Sequence, residues 1–110
     1  MRKVAICTLG CKVNQYESEE IMRGFMARGC ERVDFSQKAD IYIVNTCTVT
    51  SLSDHKSRQM IRRAIKTNPQ AVVAVTGCYA ESSGNYIATI DGVDFVVGNR
   101  EKLGLSRMIL

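Results

Sequence analysis

Short apolar runs alternate with amphipathic stretches from one end of the chain to the other. Val4-Ala5-Ile6-Cys7 is rich in strand formers and is followed by a break at Gly10. Ile21, Met22, Phe25 and Met26 then recur at helical spacing. Asn14, with Glu17 three positions later, fits an N-cap and its capping-box partner, and Gly29 fits the helix stop, so the first loop is expected over Leu9 to Val13. A second, weaker strand is expected near Glu31 to Phe35. Ile41-Tyr42-Ile43-Val44 is a compact run of the kind buried on both faces of a parallel sheet. From about Ser51, the positions Met60, Ile61, Ala64 and Ile65 predict a helix that Asn68-Pro69 ends. Ala71 to Val75 is another central strand, a further helix is expected over roughly Gly84 to Ile90, and Asp91-Gly92 turns the chain into a fifth strand at Val93 to Val97. A last helix is expected from Glu101 to Leu110.

Five strands alternating with four helices require a parallel sheet covered on both faces, and right-handed crossovers leave few topologies. The expected fold is α/β, three-layered, with a five-stranded parallel sheet in the flavodoxin-like order 2-1-3-4-5. One domain accounts for all 110 residues, since no linker, repeat or low-complexity segment interrupts them. The ending Arg107-Met108-Ile109-Leu110 is still apolar, which suggests a truncated chain.

No run is long enough to span a bilayer, and the first residues lead into a strand without a small-residue cleavage site. The expected location is the cytoplasm. In that reducing setting five cysteines argue for metal or redox chemistry rather than a disulfide framework.

Three of those cysteines, Cys11, Cys47 and Cys78, each follow the carboxyl end of a predicted strand, the first, third and fourth. In the expected order these strands are neighbours, and ligands of open α/β sheets bind beyond the carboxyl ends near the point where strand order reverses. Three thiols far apart in sequence would therefore converge at one rim. Gly10 and Gly77 directly precede two of them, and Asn45-Thr46 precedes the third. Glycine lets the backbone approach a bulky inorganic ligand and aim amide N–H groups at it. A thiolate at a helix start is also stabilised by the helix dipole. Three thiolates suit a soft metal or a cluster, and a [4Fe–4S] cluster held by three would keep one iron open.

The stretches Thr8-Leu9-Gly10-Cys11-Lys12-Val13-Asn14, Asn45-Thr46-Cys47-Thr48-Val49-Thr50 and Thr76-Gly77-Cys78-Tyr79-Ala80-Glu81 resemble the three cysteine motifs of the amino-terminal domain of the radical S-adenosylmethionine methylthiotransferases. The likeness runs in order over nearly the whole chain. The wording TLGCKVN and NTCTVT, with Lys56-Ser57-Arg58-Gln59 and Ile61-Arg62-Arg63-Ala64 after it, is similar to the branch that modifies threonylcarbamoyladenosine in tRNA. This resemblance implies that Cys11, Cys47 and Cys78 hold an auxiliary [4Fe–4S] cluster whose open iron carries a sulfur species. It implies that Gly10, Asn14, Asn45 and Gly77 line the cluster pocket. It further implies a second [4Fe–4S] cluster that cleaves S-adenosylmethionine, in a radical domain in cis, and methylthiolation at C2 of the adenine beside the anticodon. The radical domain's CxxxCxxC motif is absent: Cys7 and Cys11 have its first spacing, but Asn14 stands at the third position. That domain and a TRAM-like RNA-binding domain are expected to lie outside this chain, leaving these 110 residues inactive alone.

Simpler readings compete at several positions. Cys7 sits inside a strand and Cys30 after a helix stop, so both are expected as core residues. His55 could complete a Cys3His zinc site with the three rim thiols, which would make the chain a structural zinc module. Flavin-binding and receiver domains of similar topology fit poorly. The first loop lacks the hydroxyl residues of a flavin phosphate site, and Asp40 precedes the third strand where a receiver needs an aspartate at its end.

Net charge is +4, and the stretch from Ser51 to Lys66 carries that whole excess in Lys56, Arg58, Arg62, Arg63 and Lys66 against Asp54. Such a helix is ordinarily a solvated face. Here Lys56 and Arg58 oppose the helix dipole near its start, and Arg58, Arg62 and Lys66 recur every four residues, a stripe suited to RNA phosphates. The expected partners are thus tRNA and the radical domain, with no membrane.

Overall fold

In a computed structural model the chain forms the expected three layers, and the structure describes residues 2–10, 12–46, 51–98 and 101–110. The strands are β1 (Lys3–Thr8), β2 (Glu31–Arg32), β3 (Ile41–Thr46), β4 (Val72–Gly77) and β5 (Phe95–Val97). The helices are α1 (Lys12–Ala27), α2 (Ser51–Thr67), α3 (Cys78–Ala88) and α4 (Leu105–Ile109), with a 3₁₀ turn at Lys102–Gly104 before the last. All strand pairs are parallel and the order is β2-β1-β3-β4-β5.

Strand alternation divides the core. Val4, Ile41, Ile43, Ala74 and Val97 point toward Ile21, Met22 and Phe25 of α1 and Leu105 of α4. On the other face Ala5, Tyr42 and Val73 meet Ala64 of α2, and Val44 and Val75 meet Ile61 of α2 and Ala80 and Ile87 of α3. Every residue of β3 is buried, as its unbroken apolar run predicts for a strand covered on both sides.

Five elements differ from those read in the sequence. β2 is two residues long and β5 three, both edge strands with few neighbours to order them. Helix α3 starts at Cys78 rather than near Gly84, because Gly77 takes φ 99° and ψ −164°, a backbone region open almost only to glycine, and turns β4 directly into the helix. Helix α1 begins at Lys12, so Asn14 is not its N-cap and Glu17 is not a capping-box partner. The last helix is split by Gly104 into the 3₁₀ turn and α4.

Glu17 instead accepts from Lys102, whose Nζ lies 2.8 Å away and whose side chain is 2% exposed. This pair ties the C-terminal segment to α1, and Gly24 lets Ser106 pack close to the same helix. The two exposed pairs Arg23–Glu20 and Arg32–Glu19 contribute little by comparison.

Removing one member of the buried pair leaves the other desolvated without a counter-charge. Glu17→Ala is expected to cost roughly 2 kcal/mol, below the range for fully buried pairs because water reaches Glu17. Adding Lys102→Met should recover much of that loss. Urea unfolding of both variants checks this, and equal or larger destabilisation in the double variant would contradict it.

Candidate metal centre

The register aligns three strand exits. Thr8 of β1 lies beside Asn45 of β3, Asn45 beside Thr76 of β4, and Thr46 beside Gly77. Adjacent strands are about 4.8 Å apart, so exits from three consecutive strands lie within about 10 Å of one another. Cys11 follows the first exit by three residues, while Cys47 and Cys78 follow the other two directly. Cys11 and Cys47 lie outside the described residues, as does the Cys78 side chain, whose backbone opens α3.

Both glycines that precede cysteines have positive φ, 105° at Gly10 and 99° at Gly77. A Cβ on Gly77 would stand 2.2 Å from the Thr46 carbonyl oxygen and 2.7 Å from its nitrogen. Glycine there permits the β4 exit to close on the β3 exit, and any side chain would force the two apart.

Below the exits the α1 face of the sheet changes from aliphatic to polar. Asn14 Nδ2 donates to the Leu9 carbonyl at 2.8 Å and to the Thr46 carbonyl at 3.0 Å. Asn45 Nδ2 donates to the Asn14 carbonyl at 3.1 Å and to Ser18 Oγ at 3.0 Å, and Ser18 Oγ shares a hydrogen bond with Thr8 Oγ1 at 2.6 Å. Thr46 Oγ1, on the opposite face, donates to the Thr76 carbonyl at 2.6 Å. Asn14 and Asn45 thus both stand at the rim. Thr8, Ser18 and Thr46 were missed. The signal for Ser18 was its spacing: Asn14, Ser18, Ile21, Met22 and Phe25 form one buried stripe of α1, polar at the rim and apolar below.

Two buried oxygens in this layer, Asn45 Oδ1 and Thr76 Oγ1, have no protein partner among the described residues. They belong to directly paired residues at the head of β3 and β4. Buried polar atoms are rarely left unpaired, so a water or a polar group of a ligand at this rim would complete them. The glycine-permitted close approach of the β4 exit to the β3 exit, with a cysteine after each of three adjoining exits in the sequence, fits an iron–sulfur cluster, with Cys11, Cys47 and Cys78 as the residues that would hold it.

Of the other cysteines, Cys30 is buried in the α1-side core, as expected, whereas Cys7, expected there too, is only half-buried in β1. Burial pushes the Cys7 thiol above its ordinary value, against a smaller downward pull from the positive charges of Lys56 and Arg63. Lys56, Arg62, Arg63 and Lys66 are exposed, and so is His55, while Arg58 is half-buried. A cavity of about 460 Å³ lined by Arg2, Arg28, Gly29, Cys30 and Leu110 lies at the opposite end of the sheet from the exits. Another, about 380 Å³, flanks β2 with Arg32, Asp34, Phe35 and Gln37 in its wall.

The chain is an α/β domain with a flavodoxin-like parallel sheet and, in its sequence, a cysteine after each of three adjoining strand exits, and comparison with known proteins narrows its class. The family described as "Uncharacterized protein family UPF0004" matches residues 3–98, and the chain belongs to that family. It is 57% identical over 102 residues to the threonylcarbamoyladenosine tRNA methylthiotransferase MtaB of Bacillus subtilis (strain 168), covering 93% of this chain and 23% of that protein. Identity to the MtaB of Aquifex aeolicus (strain VF5) is 44% over 107 residues, covering 97% of this chain and 26% of the relative. The ribosomal protein uS12 methylthiotransferase RimO of Roseiflexus castenholzii is 36% identical, with 99% and 23% covered. The chain thus spans about a quarter of the length of the curated relatives it matches. The resemblance read from the three cysteine motifs is borne out: this is a domain of the MtaB-like methylthiotransferase kind.

The Cys7 environment makes a pH-dependent prediction. Because burial disfavours its thiolate, Cys7 alkylation by iodoacetamide should rise with an inflection above pH 9.0, the ordinary thiol value. The sign for stability follows: a raised folded-state value favours the native thiol below pH 9.0, and that contribution fades as pH climbs through the higher folded value. Peptide-resolved alkylation checks this, and an inflection below the ordinary value would show an activated thiol instead.

Proposed function

We propose that these 110 residues form the auxiliary [4Fe–4S] domain of a tRNA methylthiotransferase that acts in the cytoplasm on threonylcarbamoyladenosine beside the anticodon. Cys11, Cys47 and Cys78 would be the cluster ligands, and Gly10, Asn14, Asn45 and Gly77 the pocket around them. The cluster supplies an open iron able to bind the sulfur that is delivered to C2 of the adenine. A radical domain outside these residues, with its own [4Fe–4S] cluster and S-adenosylmethionine, would activate that carbon, so the chain alone is inactive.

The observation that carries this reading is the register that sets Thr8, Asn45 with Thr46, and Thr76 with Gly77 side by side, immediately ahead of the three cysteines. The names of the relatives supply the substrate. Among the described residues no helix is long and apolar enough to cross a membrane.

The chain's own residues would serve the substrate through α2. Arg62, Arg63, Lys66 and Lys56 are exposed on a helix that starts at the rim side of the sheet, and with Arg58 they form a cationic surface leading to the strand exits. Phosphates of the anticodon arm are the fitting partner, and their contribution weakens as salt rises.

Anaerobic reconstitution with iron and sulfide tests the reading. About four irons and four sulfides per chain, with brown colour, are expected for the native sequence, and loss of both on replacing any of Cys11, Cys47 or Cys78 by alanine. Replacing Cys7, Cys30 or His55 should leave the cluster intact. A colourless chain that takes one zinc, and releases it when His55 is replaced, would make this a structural zinc module.

A further inference from the structure

Two side chains link all three cysteine-bearing exits through the peptide groups just ahead of the cysteines. The Asn14 amide donates both of its hydrogens, one to the carbonyl of Leu9, two residues before Cys11, and one to the carbonyl of Thr46, the residue before Cys47. Thr46 then donates its own hydroxyl to the carbonyl of Thr76, two residues before Cys78. The backbone N–H of Leu9 is held in turn by the Asn45 carbonyl at 2.9 Å. Asn14 is 7% exposed and Thr46 is wholly buried, so water does not compete for these bonds.

Resting on the cluster reading above, we propose that Asn14 and Thr46 are positioning residues that set the mutual spacing of the three thiols. Neither supplies a ligand atom. Each acts at a peptide carbonyl one or two residues ahead of a cysteine, where the orientation of the peptide plane sets the direction in which the chain enters the cysteine. Ordinary parallel pairing fixes the strands up to Thr8, Thr46 and Gly77, and the Leu9 N–H extends it by one bond; Asn14 and Thr46 add side-chain bonds at the same level. Asn14 does this for the β1 and β3 exits, and Thr46 for the β3 and β4 exits. The brace also explains why a threonine whose hydroxyl must be satisfied stands at the head of an otherwise aliphatic strand.

Thr46→Val keeps shape and burial but removes the donor, whereas Thr46→Ser keeps the donor. The readout is the rate at which dibromobimane bridges Cys47 to Cys78 in the iron-free chain, resolved by peptide mapping. Losing one neutral hydrogen bond should slow bridging roughly fivefold in Thr46→Val. Thr46→Ser should bridge at the native rate, and Val73→Ala, a core cavity away from the exits, should not slow it. Native-rate bridging in Thr46→Val, or equal slowing in Val73→Ala, overturns the proposal. Should Thr46→Val not fold, Asn14→Asp provides the same comparison for Cys11 and Cys47. Since this readout needs no iron, a native chain that bridges as expected but takes up no cluster would sink the cluster reading and leave the brace standing.

Discussion

Parallel pairing between β1, β3 and β4 runs without a bulge from Val4↔Ile41 to Thr8↔Asn45 and from Ile41↔Val72 to Thr46↔Gly77. Every later feature depends on that register. Each strand alternates between two buried faces, so a slip of one residue would exchange Ile41 and Ile43 with Tyr42 and Val44 and ruin both cores at once. The aliphatic core therefore does more than stabilise the sheet. It makes the three exits end level.

The rim contrasts with the body of the sheet. Below it, the α1 face is lined by Val4, Ile41, Ile43 and Ala74; at it stand Thr8, Asn14, Ser18, Asn45 and Thr76. Burying amide and hydroxyl groups is unfavourable unless they are paired, and a fully aliphatic rim would be the simpler way to stabilise this fold. What the polar layer adds is direction: hydrogen bonds fix loop peptides that hydrophobic contact alone would leave free to rotate. Two oxygens of the layer, Asn45 Oδ1 and Thr76 Oγ1, have no partner among the described residues.

Much of this was legible in the sequence, for reasons that also explain the gaps. β1, β3 and β4 show as unbroken apolar runs because both faces are covered, and glycines before Cys11 and Cys78 signal backbone that other residues resist. Local pattern misled where a long-range partner took over. Asn14 and Glu17 match a capping box in spacing, but Asn14 bonds to Leu9 and Thr46, and Glu17 to Lys102, eighty-five positions away. Nothing in the neighbourhood of Lys102 announces a buried ammonium. The start of α3 was hidden because Cys78 to Ser83 has little apolar periodicity, and the helix begins there through the conformation of Gly77.

Diffraction at the iron edge from crystals of the anaerobically reconstituted chain tests the central claim most directly. The account predicts a compact iron peak beyond the ends of β1, β3 and β4, bridged to the sulfurs of Cys11, Cys47 and Cys78, with one iron lacking a protein ligand. Iron bound at Cys7 or Cys30, or a single metal ion held by His55 with the rim thiols, would contradict it.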